Sequence, residues 1–119
     1  MELRFVFEPG KETSCSLRLT NKTESFLAFR VPINKNKYRA RPTNGTMTPC
    51  SARYITVTML AQAKATTNMR SHDMFFVQST SVSGSEDDEI NYEVLFEKAM
   101  VDKVVHVVEL PIVYVALLD

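Results

Sequence analysis

Four side chains of this sequence, Cys15, Cys50, His72 and His106, are of the types that perform nucleophilic or metal-centred chemistry. A thiol beside an imidazole can make an activated nucleophile, and thiols with imidazoles at suitable spacing bind zinc. Cys15, however, alternates with leucines along a predicted strand, and a buried thiol of that kind is usually inert. No cysteine or carboxylate stands at metal-ligand spacing from either histidine on one clear face. We therefore assign no catalytic residue and no metal ligand.

The remaining residues give no other signal for catalysis. The chain has three glycines and no glycine-rich phosphate loop, so no nucleotide or other cofactor is expected. Its serines and threonines lack a candidate base and a group to orient it. Cys50 follows Pro49 at a strand entrance, and we expect both cysteines to be thiols, with a disulfide between them as the less favoured alternative. The sequence predicts a protein that is not an enzyme.

The elements that must position any site are strands, because apolar residues recur with a period of two. The first apolar set comprises Leu3, Phe5 and Phe7, which alternate with Glu2, Arg4 and Val6. Later sets are Cys15, Leu17 and Leu19; Leu27, Phe29 and Val31; Ile55, Val57 and Met59; and Phe75 with Val77. With a short strand over 37–41 and a long last strand, seven strands separated by turn signals predict an immunoglobulin-like β-sandwich.

Three further local features are expected from turn and helix chemistry. Pro42–Gly45 has the composition of a tight turn. Tyr92–Met100 is predicted as a short helix or a loop, and in a helix the acidic run Glu86–Glu89 would be favoured near the N-terminus by the helix dipole. Val104–Leu118 is rich in β-branched residues, and we expect Pro111 to kink or bulge that strand.

Composition bounds the class of protein. The 14 basic and 14 acidic residues cancel, so the basic excess typical of nucleic-acid binding is missing. An apolar content of 45% and a charged content of 24% are typical of globular domains. No apolar run reaches the length that spans a membrane, and the N-terminus lacks the apolar core of a signal peptide. We expect residues 1–119 to form one domain, cut from a larger protein.

Several ordered segments resemble the major sperm protein domain, which nematode sperm proteins share with the VAMP-associated proteins of the endoplasmic reticulum. The segments are Phe5-Val6-Phe7-Glu8-Pro9, Leu17-Arg18-Leu19-Thr20-Asn21-Lys22-Thr23, Leu27-Ala28-Phe29-Arg30-Val31, Tyr38-Arg39-Ala40-Arg41-Pro42-Thr43-Asn44-Gly45, Met47-Thr48-Pro49, Phe75-Phe76-Val77-Gln78-Ser79 and Asp102-Lys103 through Glu109-Leu110-Pro111. The resemblance implies an immunoglobulin-like sandwich without enzymatic activity. The closer likeness is to plant members with a diverged groove.

The VAMP-associated branch of that family binds FFAT motifs, which are short peptides with two aromatic residues and an acidic flank. The resemblance implies a groove on the third, sixth and last strands, in which Arg30, Val31 and Lys103 match groove residues. The family's Lys-Thr-Thr corresponds to Pro32-Ile33-Asn34, and its Lys and Met to Met74 and Phe76, so we expect weaker FFAT binding. The partner-binding residues predicted on this basis are Arg30, Val31, Ile33, Asn34, Lys35, Lys37, Met74, Phe76 and Lys103.

Three surface features have two interpretations each. Met74 and Phe76 point outward by alternation, either as an interaction patch or beneath Tyr92–Met100. Glu86–Glu89 is a solvated loop, or it folds over the basic face and competes with acidic ligands. The alternating basic residues of 35–41 form a phosphate or lipid-headgroup surface, or they protect a strand edge from aggregation, which is the interpretation we favour.

Two classes of function fit these observations. The first is an adaptor that binds a partner peptide or protein, located in the cytoplasm and tethered to a membrane, if at all, through parts of a parent protein. The second is a structural module that self-associates as a homodimer. A further alternative is a regulatory domain of a larger plant signalling or kinase protein that a pathogen protein recognises.

Overall fold

In the computed structural model the described residues are 2–61, 73–82, 91–102 and 104–116. They form eight strands and one helix: β1 (Leu3–Phe7), β2 (Thr13–Asn21), β3 (Phe26–Arg30), β4 (Tyr38–Arg41), β5 (Asn44–Met47), β6 (Ser51–Met59), β7 (Met74–Val82), α1 (Tyr92–Val101) and β8 (His106–Ala116). One sheet has the order β1-β8-β7-β3-β5, and the other has the order β2-β6-β4. The predicted all-β sandwich is confirmed.

The core lies between the two sheets and is built from alternate residues of their strands. In β1, Leu3, Phe5 and Phe7 are buried while Arg4 and Val6 are exposed, as the alternation predicts. The largest core side chains with almost no exposure are Phe5, Phe29, Ile55, Met59 and Phe75. Each buried side chain of this size contributes roughly 1.5–3 kcal/mol through the hydrophobic effect.

The strand count is eight rather than the predicted seven, because part of the expected turn after Pro42 is a strand. Asn44–Met47 forms β5, which pairs antiparallel with β3 from Arg30↔Asn44 to Leu27↔Met47. Gly45 is buried in this pair, where an added Cβ would lie 3.0 Å from the ring of Phe29. Glycine is needed here because a neighbouring side chain approaches the backbone closely. The sequence did not predict this strand because Asn44 and Gly45 are residues typical of turns.

Pro111 does not interrupt the last strand. The β7–β8 pairing runs from Ser79↔His106 to Met74↔Pro111 without a skipped residue, so the expected bulge is absent from this ladder. Pairing between β1 and β8 begins at Leu3↔Ile112, one residue beyond the proline. The bulge was wrongly predicted because a proline at the limit of a paired stretch removes no donor that a neighbouring strand requires, and the alternative of a kink stays a prediction.

Helix α1 confirms the predicted helix and covers part of the outer face of the larger sheet. Asn91 caps it by accepting a hydrogen bond from the backbone N–H of Val94 at 3.2 Å. Phe96 is fully buried, and the guanidinium carbon of Arg30 in β3 lies 4.7 Å from the centre of its ring. On the same face Ala28 is 0% exposed, although strand alternation alone would place it in solvent.

Two polar groups hold the ends of the sandwich together. The buried Asn21 amide donates to the carbonyls of Ser25 and Thr48 at 2.9 Å each, and its oxygen accepts from the N–H and hydroxyl of Thr23. At another point the Tyr38 hydroxyl of β4 lies 2.6 Å from Asp73 Oδ2 and 3.0 Å from the Tyr114 hydroxyl of β8. The tyrosine pair therefore links the two sheets.

We predict that Asn21→Ala destabilises the domain by about 2–4 kcal/mol, because two carbonyls and the Thr23 donors lose their buried partner. The free energy of unfolding from urea titration measures the change. Asn36→Ala is the matched control, since the Asn36 side chain is exposed and makes no hydrogen bond among the described residues. Equal stability of the two variants would contradict a structural role for Asn21.

A second prediction concerns alkaline pH. Burial, followed by the hydrogen bonds to Asp73 and Tyr114, raises the pKa of Tyr38 well above its ordinary value. Above about pH 10 the unfolded chain loses this phenolic proton while the folded chain keeps it, so stability falls by up to about 1.4 kcal/mol per pH unit.

The Tyr38→Phe variant should lack this part of the alkaline loss, measured as the change in unfolding free energy between about pH 9 and 11. Tyr54→Phe is the matched control, because Tyr54 is 65% exposed. A wild-type slope retained in Tyr38→Phe would show that another group causes the alkaline loss.

Candidate functional site

Four of the predicted partner-binding residues line one open cleft, which we name the basic cleft. Arg30, Val31, Ile33 and Lys35 lie along it, and its volume is about 520 Å³. The end of β3, the segment that follows it, the start of β5 and the first turn of α1 form its walls. The remaining lining residues are Pro32, Thr43, Asn44, Tyr92 and Glu93.

Arg30 is half-buried and held in place by neighbours on two elements. Its Nε donates to Gln78 Oε1 at 2.5 Å, and one terminal nitrogen lies 3.7 Å from the sulfur of Met100. Its guanidinium also lies over the Phe96 ring. Among the described residues it has no acidic partner, so it keeps its positive charge for a ligand while its orientation is fixed.

Lys37 and Asn34 have structural partners instead. Lys37 Nζ lies 3.4 Å from Asp73 Oδ2, the same carboxylate oxygen that binds Tyr38. The Asn34 carbonyl accepts from the backbone N–H groups of Lys37 and Tyr38, and its side chain accepts from the N–H of Asn36 at 3.0 Å. Asn34 thus organises the turn before β4, and the charge of Lys37 is partly compensated within the chain.

Met74 and Phe76 do not line the basic cleft. Both belong to β7, opposite Pro111 and Glu109 of β8 respectively. Met74 is 40% exposed and Phe76 is half-buried, so Met74 is accessible rather than covered by α1. Lys103 and the acidic run 86–89 lie outside the described residues.

The structure adds contributors that the sequence reading omitted. Gln78 orients Arg30 across the sheet, because the two residues are directly paired in β7 and β3. Alternation from Phe76 places Gln78 on the same outer face, so the strand pattern contained this signal. Glu93 enters the cleft from α1, and no local pattern predicted how that helix would dock.

The thiols offer no catalytic arrangement in the part of the chain that is described. Burial raises the pKa of the Cys15 thiol, which keeps it protonated and weakly nucleophilic. Cys50 is exposed, with a positive φ of 53° at the turn before β6. Over residues 2–61, 73–82, 91–102 and 104–116, no three acidic, histidine or cysteine side chains cluster as a metal site would require. Within the same ranges, no helix is long and apolar enough to cross a bilayer.

Comparison with curated proteins identifies plant relatives. The chain is 39% identical to vesicle-associated protein 1-3 of Arabidopsis thaliana over 117 residues, which cover 96% of this chain and 48% of that protein. It is 44% identical to vesicle-associated protein 3-1 of the same plant over 84 residues, covering 70% and 56% respectively. The chain therefore spans about half the length of these relatives.

Solved structures agree on the fold. SSP-19, an MSP-domain protein like family member of Caenorhabditis elegans, has a TM-score of 0.68 and 20% identity, over 97% of this chain and 94% of that one. The PapD-like domain 7 of human CEP192 has a TM-score of 0.59 and 12% identity, covering 99% and 82%. The family model for the MSP (major sperm protein) domain matches residues 1–99. The chain belongs to the major sperm protein domain family.

Proposed function

We propose that this domain is a non-enzymatic interaction module that binds a peptide segment of a partner protein in the basic cleft. The observation that carries the proposal is the meeting of Arg30, Lys35 and Ile33 at one cleft. Positive charges beside apolar surface suit a peptide, because the charges raise the association rate and an apolar anchor provides most of the affinity.

The charges at the cleft favour a ligand that is less acidic than an FFAT motif. Pro32 and Met74 stand where the family resemblance places lysines, and Glu93 adds a negative charge to the cleft wall. If each missing charge contact costs about 1 kcal/mol, affinity for an acidic peptide falls roughly tenfold to a hundredfold. Ile33 in the cleft and the exposed Met74 on β7, which lies outside the cleft, offer apolar contacts in return.

We predict that restoring the two lysines, as Pro32→Lys with Met74→Lys, strengthens binding of an FFAT peptide by about tenfold to a hundredfold. Calorimetric titration measures the dissociation constant at low and high salt. The gain should shrink at high salt, because screening weakens contacts between exposed charges. An unchanged constant would contradict the proposal that the two missing lysines weaken the binding of an acidic peptide.

A substitution that removes a positive charge from the basic cleft tests the same proposal. Arg30→Glu should weaken the binding of the same peptide to the double-lysine variant by at least about tenfold. Arg18→Glu is the matched control, because Arg18 is exposed on β2 in the opposite sheet and the change in net charge is identical. Equal losses in the two variants would mean that net charge, and not the cleft, governs binding.

Self-association is a second candidate function, favoured by exposed valines around the start of β8. Val101, Val104 and Val107 are 81%, 52% and 49% exposed, and Val107 lies on the outer face of the larger sheet opposite Gln78. Several exposed apolar side chains near one another are typical of interaction surfaces. Light scattering should then detect a concentration-dependent dimer that Val107→Lys disrupts. A monomer at all concentrations would eliminate this candidate.

A further inference from the structure

The outer face of the smaller sheet, which does not contain Arg30 of the basic cleft, carries a group of arginines and hydroxyls. Register places Arg39, Thr58 and Ser14 in one row across β4, β6 and β2. Arg41, Thr56 and Ser16 form the next row. We name these six residues the arginine–hydroxyl face. Ala40, Val57 and Leu17 alternate with them and are buried, so the six side chains point away from the core.

The spacing within this face suits a single small anion. Neighbouring strands lie about 4.8 Å apart, and residues two apart on one strand lie about 6.6–6.8 Å apart. Arg39, Arg41, Thr56 and Thr58 line one shallow depression of about 420 Å³. Two guanidinium groups and two hydroxyls therefore reach the same small volume from two adjacent strands.

One of the arginines already binds a carboxylate of the chain. A terminal nitrogen of Arg39 lies 3.3 Å and 3.2 Å from the two carboxylate oxygens of Glu12. Both side chains are about half exposed, which makes the pair weak and easily exchanged. Arg41 has no ion-pair partner among the described residues. Of the two guanidinium groups, that of Arg39 therefore has a carboxylate partner, and that of Arg41 has none among the described residues.

We propose that the arginine–hydroxyl face binds a phosphorylated side chain of a partner polypeptide. A phosphomonoester carries a charge near −2 and three acceptor oxygens. It can therefore accept from the Arg41 guanidinium and from the Thr56 and Thr58 hydroxyls together, whereas a carboxylate offers two oxygens. Guanidinium groups bind phosphate through paired hydrogen bonds, which gives such a contact its geometry.

The same observations disfavour a membrane as the occupant. Recognition of anionic lipid usually uses clusters of about four to eight basic residues. The outer face of this sheet adds only Arg18 to Arg39 and Arg41, with Glu12 beside them. The chain as a whole carries no net charge, so its long-range attraction to a negative surface is small.

The probe for the test is a neutral, glycine-flanked pentapeptide with one central phosphothreonine, compared with its unphosphorylated form. Amide chemical shifts of the full chain report where each peptide binds, and their titration gives the dissociation constant. We expect the phosphopeptide to shift Thr56 and Thr58 and to bind at least about tenfold more tightly than the unphosphorylated form. Similar affinities would overturn the proposal.

Variants separate a specific site from general charge. Arg41→Gln should weaken phosphopeptide binding about tenfold, and Arg41→Lys should weaken it less, because lysine keeps the charge without the paired hydrogen bonds. Glu12→Gln should strengthen binding, because it removes the competing carboxylate. Arg18→Gln is the matched control: it removes the same charge from the same sheet face outside the depression. If Arg18→Gln weakens phosphopeptide binding as much as Arg41→Gln does, the proposal is overturned.

Two further binding measurements show whether the ligand is a phosphorylated polypeptide, free phosphate or a lipid headgroup. Inorganic phosphate should bind more weakly than the phosphopeptide, and vesicles of phosphatidylcholine with phosphatidylserine should not bind. Inorganic phosphate of equal affinity, or vesicle binding lost in Arg41→Gln, would overturn the assignment to a polypeptide. Arg30→Glu should leave phosphopeptide binding unchanged, because Arg30 lies on the other sheet. The inference is therefore independent of peptide binding at the basic cleft.

Discussion

Alternate side chains of the strands must enter one shared apolar layer between the two sheets. This constraint places Phe5, Phe29, Ile55 and Phe75 in the core and forces their neighbours outward. A shift of one residue in any strand would exchange the two sets and bury arginines. Both candidate binding surfaces depend on this register, because Arg30, Arg39 and Arg41 are outward residues of strands whose inward neighbours are buried.

The period of two was therefore enough to predict the sandwich, the inward residues of β1 and β6, and the outward position of Arg30. The resemblance to a family also selected Arg30, Val31, Ile33 and Lys35, which line one cleft in the structure, and their role in binding stays a prediction. A local pattern is sufficient for these features because the chemistry that fixes them acts between residues close in sequence.

Features that depend on contacts distant in sequence were missed. Asn44 and Gly45 have turn composition, and only pairing with β3 makes them a strand. Ala28 is buried because the outer face of β3 is covered, which alternation within that strand does not encode. The ion pair between Arg39 and Glu12 joins residues 27 apart. In each case the partner is selected by topology rather than by local sequence.

These distant pairs also change what the basic residues can do. Counting positive charges along 35–41 treats the four residues as equivalent, but Lys37 contacts Asp73 and Arg39 contacts Glu12. Lys35 and Arg41 have no acidic partner among the described residues, and they line different depressions. The four charges are thus not equivalent, because only Lys35 and Arg41 lack an acidic partner in the described part of the chain.

An acidic ligand at either surface meets a carboxylate of the chain itself, which is Glu93 at the basic cleft and Glu12 at the arginine–hydroxyl face. Exposed ion pairs contribute at most about 1 kcal/mol, so a ligand of higher charge density can displace the chain's own carboxylate. A neutral molecule with locally paired charges therefore has little attraction for acidic surfaces in general. Its selectivity must come from the few groups, Arg30 and Arg41 among them, whose charge no described acid compensates.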